Sequence, residues 1–336
     1  MDRGTLETTA GAMVAPGRGI LAADESTGTI KKRFDSIGVE STEDTRRAYR
    51  EILFTTPDAE KHISGVILFD ETIRQSASDG TPFPRLLADK GIIPGIKVDR
   101  GAKEMALFPG EKVTEGLDGL RPRLEEYAGL GAGFAKWRAV ITIGDGIPTM
   151  ACIRANAHAL ARYAALCQEA GLVPIVEPEV LMDGNHTIER CEEVTFATLR
   201  SVYHELREER VHLEGTLLKP NMVLPGKDCP KQASAKEIAK VTTETFMRVV
   251  PAAVPGIVFL SGGQTPREAT ERLNAMNAMG AFPWELSFSY GRALQEPVLS
   301  AWGGDPGNAN TAREAFVHRA ALNGAARTGS YSPSME

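Results

Sequence analysis

Apolar runs punctuate the chain at regular intervals. Eight short segments carry strand character: Gly19–Ala23 (GILAA), Gly65–Phe69 (GVILF), Pro94–Val98 (PGIKV), Gly133–Trp137 (GFAKW), Val173–Glu177 (VPIVE), Glu214–Leu218 (EGTLL), Gly256–Leu260 (GIVFL) and Glu285–Ser289 (ELSFS). Their starts lie 29 to 46 residues apart, and helical patterns fill most of the gaps. Strand and helix alternating eight times predict a parallel sheet. No linker, low-complexity tract or domain boundary interrupts the run. The expectation is a (β/α)8 TIM barrel, residues 1–336 forming a single domain with a short N-terminal arm and a short C-terminal tail. The competing open, doubly wound sheet predicts a glycine-rich fingerprint after the first strand, and GILAADESTG has no G-x-G-x-x-G.

Several helices announce their ends. Ser41-x-x-Asp44 resembles a capping box before TRRAYREILF. Ala151–Ala170 is rich in helix formers and stops at Gly171, while Thr187–Glu209 has apolar residues at helical spacing. Ser234-x-x-Glu237 opens a helix that ends near Val250. Thr265-Pro266-x-Glu268 combines an N-cap, a proline at the first helical position and an acidic third position, with the helix ending at Gly280. The last helix covers Thr311–Arg327.

Charge then changes the picture, because it gathers where the strands end. The third strand closes on Lys97-Val98-Asp99, the fourth on Lys136-Trp137-Arg138 and the fifth on Glu177-Pro178-Glu179. A spacing of two puts both side chains of each pair on one face of an extended chain. The first strand ends in Asp24, the sixth in Lys219, the seventh in Ser261 and the eighth in Arg292. Facing outward, these charges would be buried against apolar helices; facing inward, they line the barrel mouth, where this fold keeps its chemistry. Five cations (Lys97, Lys136, Arg138, Lys219, Arg292) meet four anions (Asp24, Asp99, Glu177, Glu179), so the cluster is close to neutral.

Lys219, closing an apolar strand in EGTLLKPNMV, is the candidate nucleophile. Burial lowers a lysine pKa from its usual value of about 10.4, and an amine tuned to roughly 7–8 attacks carbonyls at neutral pH. Lys136 nearby disfavours a second positive charge. A neutral lysine forms a Schiff base, and the protonated imine withdraws electrons so that a C–C bond can break. Glu177 and Glu179 are the candidates for moving protons. Ser261-Gly262-Gly263 and Ser289-Tyr290-Gly291-Arg292 offer backbone N–H groups and a guanidinium to a phosphate, at the loops where this fold binds one. Asp24-Glu25-Ser26-Thr27-Gly28-Thr29, followed by Lys31, Lys32 and Arg33, forms a second candidate anion site. Two such sites flanking one lysine suggest a substrate with a phosphate at each end.

Composition removes other classes. The net charge of −6 argues against nucleic acid or an anionic membrane as the main partner, and hydrophobic content of 42% is ordinary for a globular protein. The longest apolar runs fall short of the ~18 residues a membrane span needs. The N-terminus shows no signal or transit pattern. Cys152, Cys167, Cys191 and Cys229 show no C-x-x-C spacing, which fits a reduced, cytoplasmic setting. None of the six histidines stands at a strand end or in a metal-ligand spacing, so neither metal nor other cofactor is expected.

The motifs LAADESTGTI, GVILFDET, GIKVDRG, FAKWR, VPIVEPEV, EGTLLKPNMV, FLSGGQ and FSYGRALQ, in order from about Gly19 to Pro333, resemble class I fructose-bisphosphate aldolase. The resemblance implies a metal-independent cleavage of fructose 1,6-bisphosphate to dihydroxyacetone phosphate and glyceraldehyde 3-phosphate, in glycolysis and gluconeogenesis, by a homotetramer. It implies that Lys219 is the Schiff-base lysine and Glu177 the main proton donor and acceptor. Glu179 is then its hydrogen-bonding neighbour, Lys136 assists carbinolamine formation, and Asp24 holds the C4 hydroxyl for cleavage. Ser261, Gly262, Gly263, Ser289, Gly291 and Arg292 match the site for the ketose C1-phosphate; Ser26, Thr29, Arg33, Lys97 and Arg138 fall at the C6-phosphate end. Another Schiff-base lyase or a transaldolase acting on a monophosphate, and a non-catalytic scaffold, are the alternatives. Two phosphate sites speak against the former, and the full set of Asp24, Lys136, Glu177 and Lys219 against the latter. Many members end in a flexible tail with a terminal tyrosine that helps protonate the enamine. Here the nearest tyrosine is Tyr331, five residues from Glu336. The expectation is that such a tail is absent and that water or another side chain does this work.

Overall fold

The computed structural model describes residues 2–336. Ten strands form: β1 (Gly19–Ala23), β2 (Ile63–Leu68), β3 (Ile93–Lys97), β4 (Ala102–Glu104), β5 (Lys112–Thr114), β6 (Phe134–Ile141), β7 (Val173–Val180), β8 (Leu217–Leu218), β9 (Gly256–Phe259) and β10 (Glu285–Tyr290). Eight of them close into a parallel barrel in the order β1-β2-β3-β6-β7-β8-β9-β10, and β10 returns to β1 where Leu21 meets Tyr290. The barrel is the one the apolar pattern predicts. The hydrophobic pattern does not signal β4 and β5, a short antiparallel surface hairpin in the β3–β6 connection.

Strand boundaries differ by three residues or more in three places and elsewhere by at most two. β6 and β7 run on to Ile141 and Val180, past the expected ends at Trp137 and Glu177, because their ladder continues through Arg138–Glu177 and Val140–Glu179. Their charged residues therefore stand inside the strands. β8 is only two residues long, since Leu213–Gly215 turns as a 3-10 helix. That turn is closed by the Thr216 hydroxyl, which donates to the Leu213 carbonyl at 2.7 Å, and held by Gln168, which donates to the His212 carbonyl at 2.7 Å.

Alternation along each strand divides the structure. On β6, Phe134, Lys136, Arg138 and Val140 share the inward face; on β7, Val173, Ile175, Glu177 and Glu179 do so. The lower inward residues Ile20, Ile67, Phe134, Val173, Ile175, Leu217 and Val258 pack with Leu6, Ala10, Met13 and Val14. The N-terminal arm is thus a helix, Arg3–Met13, that plugs one end of the barrel. Outward residues join a larger core beneath the surrounding helices. There the buried Tyr163 hydroxyl lies 2.7 Å from the Ala135 carbonyl and 3.1 Å from that of Ile175, so one phenol ties β6 to β7.

Helices stand where the sequence places them: Met150–Glu169, Ile188–Glu208, Ala235–Val249, Pro266–Asn277 and Ala309–Arg327. Thr187, Ser234 and Thr265 accept hydrogen bonds from the first turns of their helices, each such cap contributing about 1 kcal/mol. Thr265 and Glu268 complete the expected reciprocal box. The helix they open ends at Asn277, short of Gly280. The box at Ser41 and Asp44 does not form; Thr42 caps the helix Glu43–Thr55 and pairs with Thr45. Among the described residues no helix is long and apolar enough to cross a membrane.

Candidate active site

A cavity of about 950 Å³ opens at the end of the barrel opposite the N-terminal plug. All sixteen candidate residues line it: Asp24, Ser26, Thr29, Arg33, Lys97, Lys136, Arg138, Glu177, Glu179, Lys219, Ser261, Gly262, Gly263, Ser289, Gly291 and Arg292. The polar layer begins two residues above the apolar floor on β6 and β7, and directly after β8. Proline and asparagine shape that last position. Pro220 has no N–H to give the ladder, and the Asn221 side-chain oxygen accepts from the Val180 N–H at 3.0 Å instead. Lys219 itself donates its backbone N–H to the Val176 carbonyl at 2.8 Å.

Each mouth carboxylate meets at least one cation. Lys219 Nζ lies 3.2 Å from Glu177 Oε1, and Lys136 Nζ lies 2.6 Å from Asp24 Oδ2 and 3.3 Å from Glu177 Oε2. Lys97 Nζ lies 2.7 Å from Asp99 Oδ1, and Arg138 pairs with Glu179. Glu177 thus bridges both lysines, while its Oε2 has no aligned hydrogen bond among the described residues. Lys136, Glu177, Glu179 and Lys219 are buried. Buried charges survive only when paired, because removing one partner strands the other at a cost of about 3–5 kcal/mol. Arg292 alone among the five mouth cations has no carboxylate partner among the described residues.

Burial and pairing set the protonation states. Burial alone would push the Asp24 carboxyl up, but Lys136, then Lys219 and Lys97, hold it well below the usual carboxylate range. Burial alone would push the Lys136 ammonium down; Asp24, then Glu177 and Asp99, hold it well above the usual lysine range. Lys136 is therefore held as a cation beside Lys219.

Two candidate anion cradles flank this centre. In the first, Ser261, Gly262 and Gly263 follow β9, and glycine is required by crowding. A Cβ at Gly262 would stand 2.7 Å from Glu179 Oε1, and one at Gly263, where φ is +73°, would overlap the Met182 sulfur. Ser289 Oγ is buried without a hydrogen-bond partner among the described residues. Gly291 caps the helix Arg292–Trp302, whose N-terminal end favours an anion. In the second cradle, Ser26 caps the helix Thr27–Asp35 with no side-chain capping bond, and its hydroxyl lies 3.2 Å from that of Thr29. Of the run Lys31-Lys32-Arg33, only Arg33 enters the cavity. Lys31 pairs with Asp35 at the surface at 2.8 Å, and Lys32 is exposed. The Arg33 guanidinium lies beside the Gly291 turn: a Cβ at Gly291 would stand 3.6 Å from Arg33 Nη2.

Sequence reasoning missed the support behind these residues. Glu25 is buried between Arg33, at 2.5 Å, and Arg50. Gln295, on the helix after β10, donates to Glu25 Oε1 at 2.7 Å. Arg50 was open to detection, since it falls on the buried stripe Tyr49, Arg50, Leu53 of its helix, where a charge needs a partner. Nothing local marks Gln295. Tyr331 stands apart from the cavity, its backbone bonded to Asn274 and its hydroxyl to Glu336 at 2.8 Å, with Glu336 clamped by Arg319. No group of three or more His, Cys, Asp or Glu side chains among the described residues is arranged to hold a metal. All four cysteines are buried free thiols.

Comparison with known proteins agrees over nearly the whole chain. A family model described as fructose-bisphosphate aldolase class-I matches residues 5–336. The chain is 61% identical over 327 residues to a probable fructose-bisphosphate aldolase class 1 of Xanthomonas campestris pv. campestris, covering 97% of this chain and 98% of the relative. It is 53% identical over 321 residues to fructose-bisphosphate aldolase C of Rattus norvegicus, covering 95% and 88%. Its fold matches a solved fructose-bisphosphate aldolase of Plasmodium falciparum, in complex with TRAP and a small-molecule inhibitor, with a TM-score of 0.97, 50% identity, and coverage of 98% and 95%.

Proposed function

The chain belongs to the class I fructose-bisphosphate aldolase family, and from that premise we propose how its cavity performs the reaction. The enzyme is a carbon–carbon lyase that reversibly cleaves fructose 1,6-bisphosphate to dihydroxyacetone phosphate and glyceraldehyde 3-phosphate. The observation that carries the assignment of roles is the bridge Lys219–Glu177–Lys136, at 3.2 and 3.3 Å.

Lys219 passes a proton to Glu177 and attacks the C2 carbonyl of the open-chain ketose. Lys136, held cationic by Asp24, stabilises the oxygen that becomes negative. Glu177 then returns that proton to the oxygen and carries a second one from the nitrogen to the resulting hydroxyl, so water leaves and a protonated imine remains on Lys219. Asp24, kept ionised, accepts the hydrogen bond of the C4 hydroxyl and draws its proton as the C3–C4 bond breaks. The bonding electrons move into the imine nitrogen as an enamine, and the aldehyde departs. Protonation at C3 and hydrolysis of the imine return the free amine and release dihydroxyacetone phosphate. Glu179 holds Arg138 and touches the Gly262 turn, so one carboxylate spaces the two anion cradles. Ser261, Gly262, Gly263, Ser289, Gly291 and Arg292 take the C1-phosphate; Ser26, Thr29, Lys97 and Arg138 take the other.

Cleavage should persist in excess EDTA, with both triose phosphates detected by coupled assay; activity restored only by added divalent metal contradicts the lysine route. The C3 proton comes from a group other than Tyr331, whose hydroxyl is engaged by Glu336. Tyr331→Phe should leave the exchange of dihydroxyacetone phosphate with solvent unchanged, and a lost exchange rate would return the role to Tyr331. We extend the reading to one domain over residues 1–336, to a homotetramer, and to a cytoplasmic enzyme, supported by relatives of Arabidopsis thaliana named cytosolic. Sedimentation at the 36.2 kDa single-chain mass would rule out the tetramer.

A further inference from the structure

We propose that Gln295 is a positioning residue of the C1-phosphate pocket: through Glu25 it sets Arg33 beside the Gly291 turn, so that Arg33 and Arg292 serve the same substrate phosphate. The proposal rests on the reading of the cavity as the aldolase site and moves Arg33 from the far phosphate, where its motif places it, to the near one.

Gln295 is fully buried, one helical turn after Arg292. Its backbone N–H donates to the Gly291 carbonyl at 3.0 Å. Its side-chain Nε2 donates to the Ala22 carbonyl and to Glu25 Oε1, each at 2.7 Å, and its Oε1 accepts from Arg50 Nη1 at 3.2 Å. One residue therefore joins the end of β1, the turn after β10 and the helix Glu43–Thr55. Glutamine is the residue those partners require. A leucine there leaves a carbonyl, a carboxylate and a guanidinium each short of a partner, and a glutamate sets a second carboxylate against Glu25.

Glu25 passes this constraint to Arg33. One carboxylate oxygen takes Arg33 Nη1 at 2.5 Å and the other takes Arg50. Burial alone would push the Glu25 carboxyl up, but Arg33 and Arg50 hold it below the usual range, so the fork stays charged at neutral pH. Arg33 is thus held at Nη1 by the Glu25 charge, with no aligned hydrogen bond there among the described residues. Its other nitrogen, Nη2, faces the Gly291 turn, where the Ala22 carbonyl also lies, 3.4 Å from the position of a Cβ. Glu25 and its two arginines carry a net single positive charge, and Arg292 brings another that no carboxylate answers. Two guanidinium charges converging on one glycine turn suit a phosphate dianion.

Fructose 1-phosphate lacks the far phosphate, so it separates the two assignments. Steady-state kinetics of Arg33→Met and Gln295→Met should show KM raised about tenfold or more for fructose 1,6-bisphosphate and fructose 1-phosphate alike, with kcat changed less, as loss of a charged hydrogen bond implies. Because Gln295 acts through Arg33, the double variant should be no worse than Arg33→Met alone. Should Gln295→Met fail to fold, Glu25→Gln preserves shape, removes the charge that grips Arg33, and should give the same pattern. A loss confined to fructose 1,6-bisphosphate returns Arg33 to the far phosphate and overturns the proposal. Additive effects, or a lower melting temperature with KM unmoved, also overturn it. Borohydride trapping of Lys219 in the parent enzyme separates the failures: no adduct there defeats the aldolase reading, whereas an adduct with unmoved KM in the variants defeats this inference alone.

Discussion

The floor and the mouth of the barrel are built from the same strands, two residues apart. Phe134 and Lys136 share one face of β6, Ile175 and Glu177 one face of β7, and Leu217 precedes Lys219 by the same step. Exposure does not distinguish the layers: Phe134 and Ile175 are 0% exposed, Lys136 and Glu177 3%. Partnering does. The floor closes by packing against the helix Arg3–Met13, while every mouth carboxylate finds a cation. The dry floor beneath keeps the local dielectric low, which strengthens each pair above it and makes an unpaired charge costly. The apolar layer thus sets the electrostatic conditions for the amine, and the charged layer supplies the chemistry.

Paired variants separate the two layers. The larger effect on turnover is expected in the mouth: in Lys136→Met the folded enzyme should lose a hundredfold or more in kcat, the scale of a lost proton-transfer or charge-stabilising group, beyond any stability lost by stranding Asp24. The smaller is expected at the floor, where Phe134→Ala should cost about 3–5 kcal/mol of stability by urea denaturation and change turnover of the folded enzyme only a few-fold. If Phe134→Ala abolishes turnover without moving the urea midpoint, the division between floor and mouth does not hold.

Most of the fold was legible because the apolar runs, the glycine and proline stops and the N-caps at Ser234 and Thr265 all act locally. The candidate set at the barrel mouth was legible because charge on a strand buried on both faces has one place to go. Where the reading failed, either a distant partner decided or spacing left a local choice open. β8 was drawn too long because Gln168, on another helix, clamps the turn before it. The Ser41 box lost to Thr42 and Thr45, a choice between adjacent hydroxyls that spacing alone does not settle. Lys31 and Lys32 were grouped with Arg33, but helical geometry turns them to solvent. Gln295 was invisible because its partners Ala22, Glu25 and Arg50 lie at least 245 residues away.

The central claim is that a buried amine on Lys219 bonds covalently to the ketose carbon. Borohydride reduction in the presence of fructose 1,6-bisphosphate, followed by peptide mass mapping, tests it directly. The account predicts one reduced triose or hexose adduct, on the peptide holding Lys219, and none in Lys219→Met. An adduct on Lys136 or any other lysine, or inactivation with no adduct, would contradict it.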